Sequence, residues 1–196
     1  MARRNTSLTK SRIVEAAWQL FYEKGFDGTT VEDIVEKSGT SKGSFYHYFE
    51  SKDALLGSLA YLFDEKYSEL EKSIDPDMPC FDLLLYLNRE LFSMIENSID
   101  IDLLTGLYAT QLSERSQREL LDHNRVYYRL LKKTVSRGQA RNELTQELSV
   151  NEIVRLYALC ERALLYDWCL CRGDYSLKDH ASATLPRLLQ GILKKD

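Results

Sequence analysis

The run from Gly28 to Lys52, Gly-Thr-Thr-Val-Glu-Asp-Ile-Val-Glu-Lys-Ser-Gly-Thr-Ser-Lys-Gly-Ser-Phe-Tyr-His-Tyr-Phe-Glu-Ser-Lys, leaves this chain few ways to fold. Thr30 suits a helix N-cap, and Asp33 stands three residues on to complete a capping box. Ile34 and Val35 supply an inward face, and Gly39 fits the position just past the helix end, where a left-handed backbone suits glycine. Ser41 caps a second short helix, in which Phe45 and Phe49 fall four apart and share the inner side. Two short helices about a glycine turn make a helix-turn-helix, which places its second helix in the major groove of DNA.

The outer side of that second helix carries the chemistry. Lys42, Gly43, Tyr46 and His47 cluster opposite the phenylalanines. A lysine can meet phosphate or guanine, and a glycine lets the backbone approach closely. The tyrosine hydroxyl can donate to phosphate, and the histidine can reach a base edge. Ser51 starts a further helix, with Lys52 in its positively polarised first turn, where a phosphate would be favoured.

The stretch from Ile13 to Leu56 resembles the DNA-binding domain of the tetracycline-repressor (TetR-type) family. Ile13, Ala16, Ala17, Phe21, Gly25, Phe26, Thr29, Thr30, Ile34 and Gly39 carry the likeness, as do the run Ser41 to Phe49, Ser51, Lys52 and Leu55. Val35 and Ser38 stand where the family commonly has a small Ala. The resemblance implies an all-α fold: a three-helix helix-turn-helix domain in residues 1–52, joined by a long helix to a helical ligand-binding and dimerisation domain in residues 53–196. It further implies DNA contacts at Thr30, Lys42, Gly43, Ser44, Tyr46, His47 and Lys52. The implied protein is a cytoplasmic, ligand-responsive repressor that binds a near-palindromic operator as a homodimer and is released by a small amphiphilic or aromatic effector.

Charge agrees once it is divided along the chain. The formal net charge is −4, yet Arg3, Arg4, Lys10 and Arg12 stand in the first twelve residues without an acid. A local positive arm beside a reading helix is what phosphate binding needs. The composition, with three prolines, favours helices, and no apolar run or leader pattern suggests a membrane span or secretion.

Beyond the motif, helical periodicity runs through most of the chain. Helices are expected over Thr9–Lys24, Ser51–Lys72, Phe81–Asn97, Ile101–Ser113, Arg118–Arg137, Asn151–Arg172 and Leu177–Leu193, with a turn at Asp75–Pro79. The second of these would be the lever between the two domains. Gly138 reads as the exit of one helix, and Pro186 as a kink in the last. Two apolar stripes stand out: Ile153, Tyr157, Cys160, Leu164, Trp168 and Cys171, then Leu177, Ala181, Leu185, Leu188 and Ile192. Each would serve its own core equally well; the resemblance points instead to a four-helix dimer interface.

Most of the tyrosines lie beyond residue 57, so an aromatic-lined effector pocket is expected between residues 81 and 171. Tyr86, Tyr108, Tyr127 and Trp168 are its candidate walls, with Arg89 and Gln111 as polar anchors. Cys80, Cys160, Cys169 and Cys171 read as free thiols in a chain without a secretory signal, and residues 169 and 171 diverge by about 200° on a helix, a poor geometry for a shared metal. No phosphate loop, metal-ligand pattern or nucleophile elbow appears, so neither catalysis nor a cofactor is expected. The rival reading is a dimeric interaction protein whose second domain binds a protein partner.

Overall fold

The computed structural model describes residues 2–112 and 118–194, with side chains from Leu8 onward. The elements are helices α1 (Ala2–Lys24), α2 (Val31–Ser38), α3 (Lys42–Tyr48), α4 (Leu59–Ser73), α5 (Cys80–Ser98), α6 (Ile101–Gln111), α7 (Val126–Ala140), α8 (Val150–Leu170) and α9 (Leu177–Leu188). Among the described residues the only β pairing is an isolated bridge between Leu144 and Leu193. The fold is all-α, as the sequence implies.

The chain forms two compact units, residues 1–60 with 102–120, and residues 61–101 with 121–196. The first is built on α1, α2 and α3, which pack on one another. Ile13, Ala17, Ile34, Phe45 and Leu55 are fully buried there. Shielding the Ile, Phe and Leu side chains contributes about 1.5–3 kcal/mol each. In the second unit α5 packs on α7 and α9, and α8 on α7 and α9. Leu84, Leu87, Phe92, Val135, Ile153, Tyr157 and Ala181 form its centre.

Several expected helices are shorter or divided. The lever does not run unbroken from Ser51: Asp53–Ser58 is a 3-10 turn, and α4 starts at Leu59. Ser58 Oγ bonds back to the Leu55 carbonyl and accepts from Trp18 Nε1 at 2.8 Å, which suits the tighter winding. The segment expected over Arg118–Arg137 breaks before α7. Asp122 turns the chain by accepting from the Asn124 amide at 2.9 Å, and Arg125 is extended. Gly138 lies inside α7 rather than at its end; Asn142, at φ 60°, makes the exit four residues later. Pro186, which brings no N–H, is followed by the end of α9 at Leu188 and a 3-10 turn at Gln190–Ile192.

Both stripes read as dimer surfaces belong largely to the chain's own core. Ile153, Tyr157, Leu164 and Trp168 are buried, as are Leu177, Ala181, Leu185 and Ile192; Leu188 and Cys171 are the exposed members. The face that α8 leaves outside carries Leu159, Tyr166 and Leu170, which are 56%, 47% and 64% exposed. Cys80, Cys160, Cys169 and Cys171 are free thiols, the first three buried.

Gly39 illustrates how tightly the α2–α3 turn is specified. Its φ is +60°, and a Cβ there would stand 2.8 Å from Arg12 Nη2. Gly39→Ala should therefore lower stability by about 1–2 kcal/mol, the cost of a left-handed L-residue, seen as a lower melting temperature in thermal denaturation.

Candidate nucleic-acid interface and effector region

The caps that orient α3 are formed as read. Thr30 Oγ1 accepts from the Asp33 amide at 3.1 Å, and the Thr30 amide donates to Asp33 Oδ2 at 2.8 Å. Lys24, 2.8 Å from the same carboxylate, together with these Thr30 donors, holds Asp33 well below the usual carboxylate range. At the other end of α2, the Gly39 amide donates to the Glu36 carbonyl. Ser38, where the family commonly has Ala, is buried but satisfied: its hydroxyl donates to the Val35 carbonyl and lies 2.8 Å from Thr40 Oγ1. Ser41 then caps α3 by accepting from the Ser44 amide at 3.1 Å.

With Phe45 and Phe49 buried, α3 turns Lys42, Gly43, Tyr46 and His47 to the outside, and Ser44 is half-buried. Tyr46 is 55% exposed and steadied edge-on by Phe45, with ring centroids 5.3 Å apart. His47 rests on Tyr48 at 4.8 Å. Lys42 pairs with Glu32 of α2; the contact holds Glu32 below its ordinary range and raises Lys42. Both partners are exposed, so the pair contributes little stability and is easily exchanged.

Two basic residues read toward phosphate also tie the chain to itself. Arg12 Nη2 donates to the Ser38 carbonyl at 2.5 Å and to that of Gly39 at 3.3 Å, closing the C-terminus of α2. Lys52 Nζ donates to the carbonyls of Phe26 at 2.6 Å and Thr29 at 2.9 Å, and lies 4.1 Å from the Phe26 ring centroid. Arg3 and Arg4 belong to α1, but their side chains lie outside the described residues. Neither tie was visible in sequence, because both join residues far apart along the chain. Lys52→Ala removes two charge-assisted bonds and should destabilise the protein by about 2–4 kcal/mol, measured by urea denaturation.

The six residues proposed to line an effector pocket are divided between the two units. Tyr108 and Gln111 lie in the unit that holds α1–α3. Gln111 fastens the chain there, donating to Glu119 Oε2 at 2.8 Å and accepting from the Leu120 amide at 3.1 Å. In the other unit Trp168 closes the end of α8, donating to the Tyr175 carbonyl at 2.8 Å. Arg89 is exposed beside Glu90, and Tyr86 is half-buried.

Tyr127 belongs to a buried polar cluster that the sequence reading missed. Its hydroxyl donates to Glu161 Oε2 at 2.6 Å, and Asn88 Nδ2 donates to Glu161 Oε1 at 2.8 Å. Tyr157 donates to the Leu84 carbonyl. The Tyr67 ring lies 5.2 Å from that of Tyr127, and among the described residues its buried hydroxyl is without a hydrogen-bond partner. Burial pushes the Glu161 carboxyl above the usual range, against the hydrogen bonds from Tyr127 and Asn88. Burial first, and the charge of Glu161 second, push the phenols of Tyr67, Tyr127 and Tyr157 well up. The signal was present: Glu161 stands four residues from Tyr157 and seven from Trp168, a carboxylate on an apolar stripe.

Beside this cluster, Arg125 grips Asp64 with Nε at 3.1 Å and Nη2 at 3.0 Å, both residues being buried, and the Tyr127 amide donates to Asp64 Oδ1. Asp64 and Arg125 also line a pocket of about 380 Å³ with Tyr61, Glu65, Ser68, Asp122, Asn124 and Val126.

Comparison with known proteins agrees with this architecture. The family described as "Bacterial regulatory proteins, tetR family" matches residues 13–59. An uncharacterized HTH-type transcriptional regulator of Bacillus subtilis (strain 168), YvdT, is 30% identical over 147 residues, which span 74% of this chain and 75% of the relative. The HTH-type transcriptional regulator TtgR of Pseudomonas putida is 29% identical over 180 residues, covering 86% and 84% of the two chains. Among solved structures, Thermus thermophilus FadR, a TetR-family transcriptional repressor in complex with lauroyl-CoA, superposes with a TM-score of 0.73 at 23% identity, covering 95% of this chain and 96% of that one. On the helix-turn-helix built from residue 13 onward, the all-α architecture and these relatives, the chain belongs to the TetR family of DNA-binding transcriptional regulators.

Proposed function

We propose that this chain is a ligand-responsive repressor that reads a near-palindromic operator as a homodimer, with residues 1–52 reading DNA and residues 53–196 sensing a small amphiphilic or aromatic effector and dimerising. The observation that carries the reading is α3 itself: buried on Phe45 and capped by Ser41, it presents Lys42, Gly43, Tyr46 and His47 outward. Lys42 exchanges Glu32 for phosphate, while Tyr46 and His47 address the backbone and base edges. Thr30 and Ser44 stand at the N-terminal ends of α2 and α3, where backbone and hydroxyl donors suit phosphate. Lys52 serves the interface by holding the Phe26–Thr29 loop.

The second copy would dock on the outer face of α8. Leu159, Tyr166 and Leu170 recur at 4- and 7-residue intervals with Ala163 between them, an exposed apolar stripe that association would cover. Two-fold symmetry then spaces the reading helices by about 34–36 Å or a multiple of it. FadR's complex with lauroyl-CoA supports a small-molecule effector for the present chain. Effector binding would shift α4, which leaves the first unit after Ala60, and a coupling of about 1–3 kcal/mol would lower operator affinity about 5–150-fold.

Gel shifts on an operator duplex test the reading face. Lys42→Ala and Tyr46→Phe should weaken binding about tenfold or more with the fold intact, whereas Glu32→Gln, which frees Lys42 and removes an acid, should tighten it. Normal binding by both weakened candidates would show the face to be misassigned. Sedimentation analysis tests the interface: the double variant Leu159→Glu, Tyr166→Glu should be monomeric where the parent is a dimer. A variant that stays dimeric would place the interface elsewhere.

A further inference from the structure

We propose that the effector is an organic cation, a protonated amine on an aromatic body, held between Glu161 and the Tyr67 hydroxyl after entry past Asp64 and Arg125. The inference deepens the ligand-responsive reading above, but the binding it requires can be measured without DNA.

Two independent observations converge. The first is the state of the core cluster. Glu161 is 4% exposed, and its oxygens accept from neutral donors, Asn88 and Tyr127 among them. No ion pair among the described residues includes it. The nearby guanidinium of Arg125 is committed to Asp64. Arg162, next along α8, reaches the Tyr128 hydroxyl at 3.4 Å, and its charge opposes only in part the effect of burial on Glu161. A carboxylate so placed is costly to keep charged, and a cation arriving beside it removes that cost. Tyr67, 1% exposed, adds a buried hydroxyl without a partner, on a ring tilted against that of Tyr127 and within the field of Glu161. An ammonium N–H can donate to both the carboxylate and this hydroxyl, and the faces of Tyr67, Tyr127 and Tyr157 favour positive charge.

The second observation is the pocket beside it. Its lining holds three carboxylates, Asp64, Glu65 and Asp122, against one guanidinium, Arg125, and the exposed aromatic ring of Tyr61. Such a wall attracts cations and repels anions. Tyr127 joins pocket and cluster: its amide binds Asp64 on the pocket side, and its hydroxyl binds Glu161 inside. A cation passes from one set of carboxylates to another along a single residue.

Isothermal titration calorimetry on the full chain, with three probes of one shape, tests the proposal: 1-naphthylmethylamine (cation), 1-naphthylmethanol (neutral) and 1-naphthylacetate (anion). The amine should bind, the alcohol at least about tenfold more weakly, and the acetate not measurably. Glu161→Gln should weaken the amine at least about tenfold and leave the alcohol unchanged. Tyr67→Phe guards against a variant that fails to fold. Losing an unsatisfied buried hydroxyl should raise the melting temperature by about 2–4 °C, yet amine affinity should fall severalfold. A purely structural Tyr67 would give the first effect without the second. The proposal is overturned if the amine gives no binding at millimolar concentration, if all three probes bind alike, or if amine affinity is unchanged in the folded variants. A chain that binds the amine but no operator would instead overturn the regulator reading alone.

Discussion

The burial of Phe45 is the constraint on which the reading head depends. A helix of seven residues, Lys42–Tyr48, has no stability of its own in water, where even good helix formers need about 12–15 residues. It exists because Phe45 is wholly removed from solvent and Phe49 nearly so, against α1 and α2, and because Ser41 and Gly39 define where it starts. That same anchoring decides which side chains face outward. Lys42, Gly43, Tyr46 and His47 are exposed because the opposite side of so short a helix is occupied. Fold and interface thus share one cause. Arg12 and Lys52, both cationic, reinforce the frame by closing carbonyls of α2 and of the loop before it.

The second unit is organised on a different principle. Within a core of leucines and aromatics it buries Asp64 with Arg125 and Glu161 with Asn88 and Tyr127. Such groups rarely add net stability over apolar side chains of similar size, and breaking a buried pair costs about 3–5 kcal/mol. Asp64–Arg125 is fully matched, with both carboxylate oxygens engaged and a backbone amide added. Glu161 is hydrogen-bonded by neutral donors, and Tyr67 is unsatisfied. The asymmetry between these neighbouring clusters separates a structural ion pair from a site suited to recognition.

Local chemistry was legible in the sequence, and long-range chemistry was not. The Thr30–Asp33 box, the Gly39 turn and the Ser41 cap depend on residues three or four apart, and each formed where the spacing placed it. The Ser149–Glu152 box at the start of α8 closes over the same three-residue spacing. The ties of Arg12 to Ser38 and of Lys52 to Phe26 span 26 residues each, beyond any periodicity. Apolar spacing showed that α8 and α9 each have a buried side, but spacing does not say whose core that side meets. Hence the stripe through Ile153, Tyr157 and Trp168 proved internal, while Leu159, Tyr166 and Leu170 lie outside. Helix ends failed where a single residue redirected the chain, as Ser58 and Asp122 do.

Binding of the purified chain to near-palindromic duplexes from around its own gene, titrated across a salt series, tests most directly whether α3 reads DNA. A dimer engaging about 6–10 phosphates should bind saturably, two chains per duplex, and lose about 10³–10⁵ in affinity between about 50 and 200 mM salt. Failure to bind any duplex even at low salt would contradict the operator-reading role and favour a dimeric scaffold that engages a protein partner.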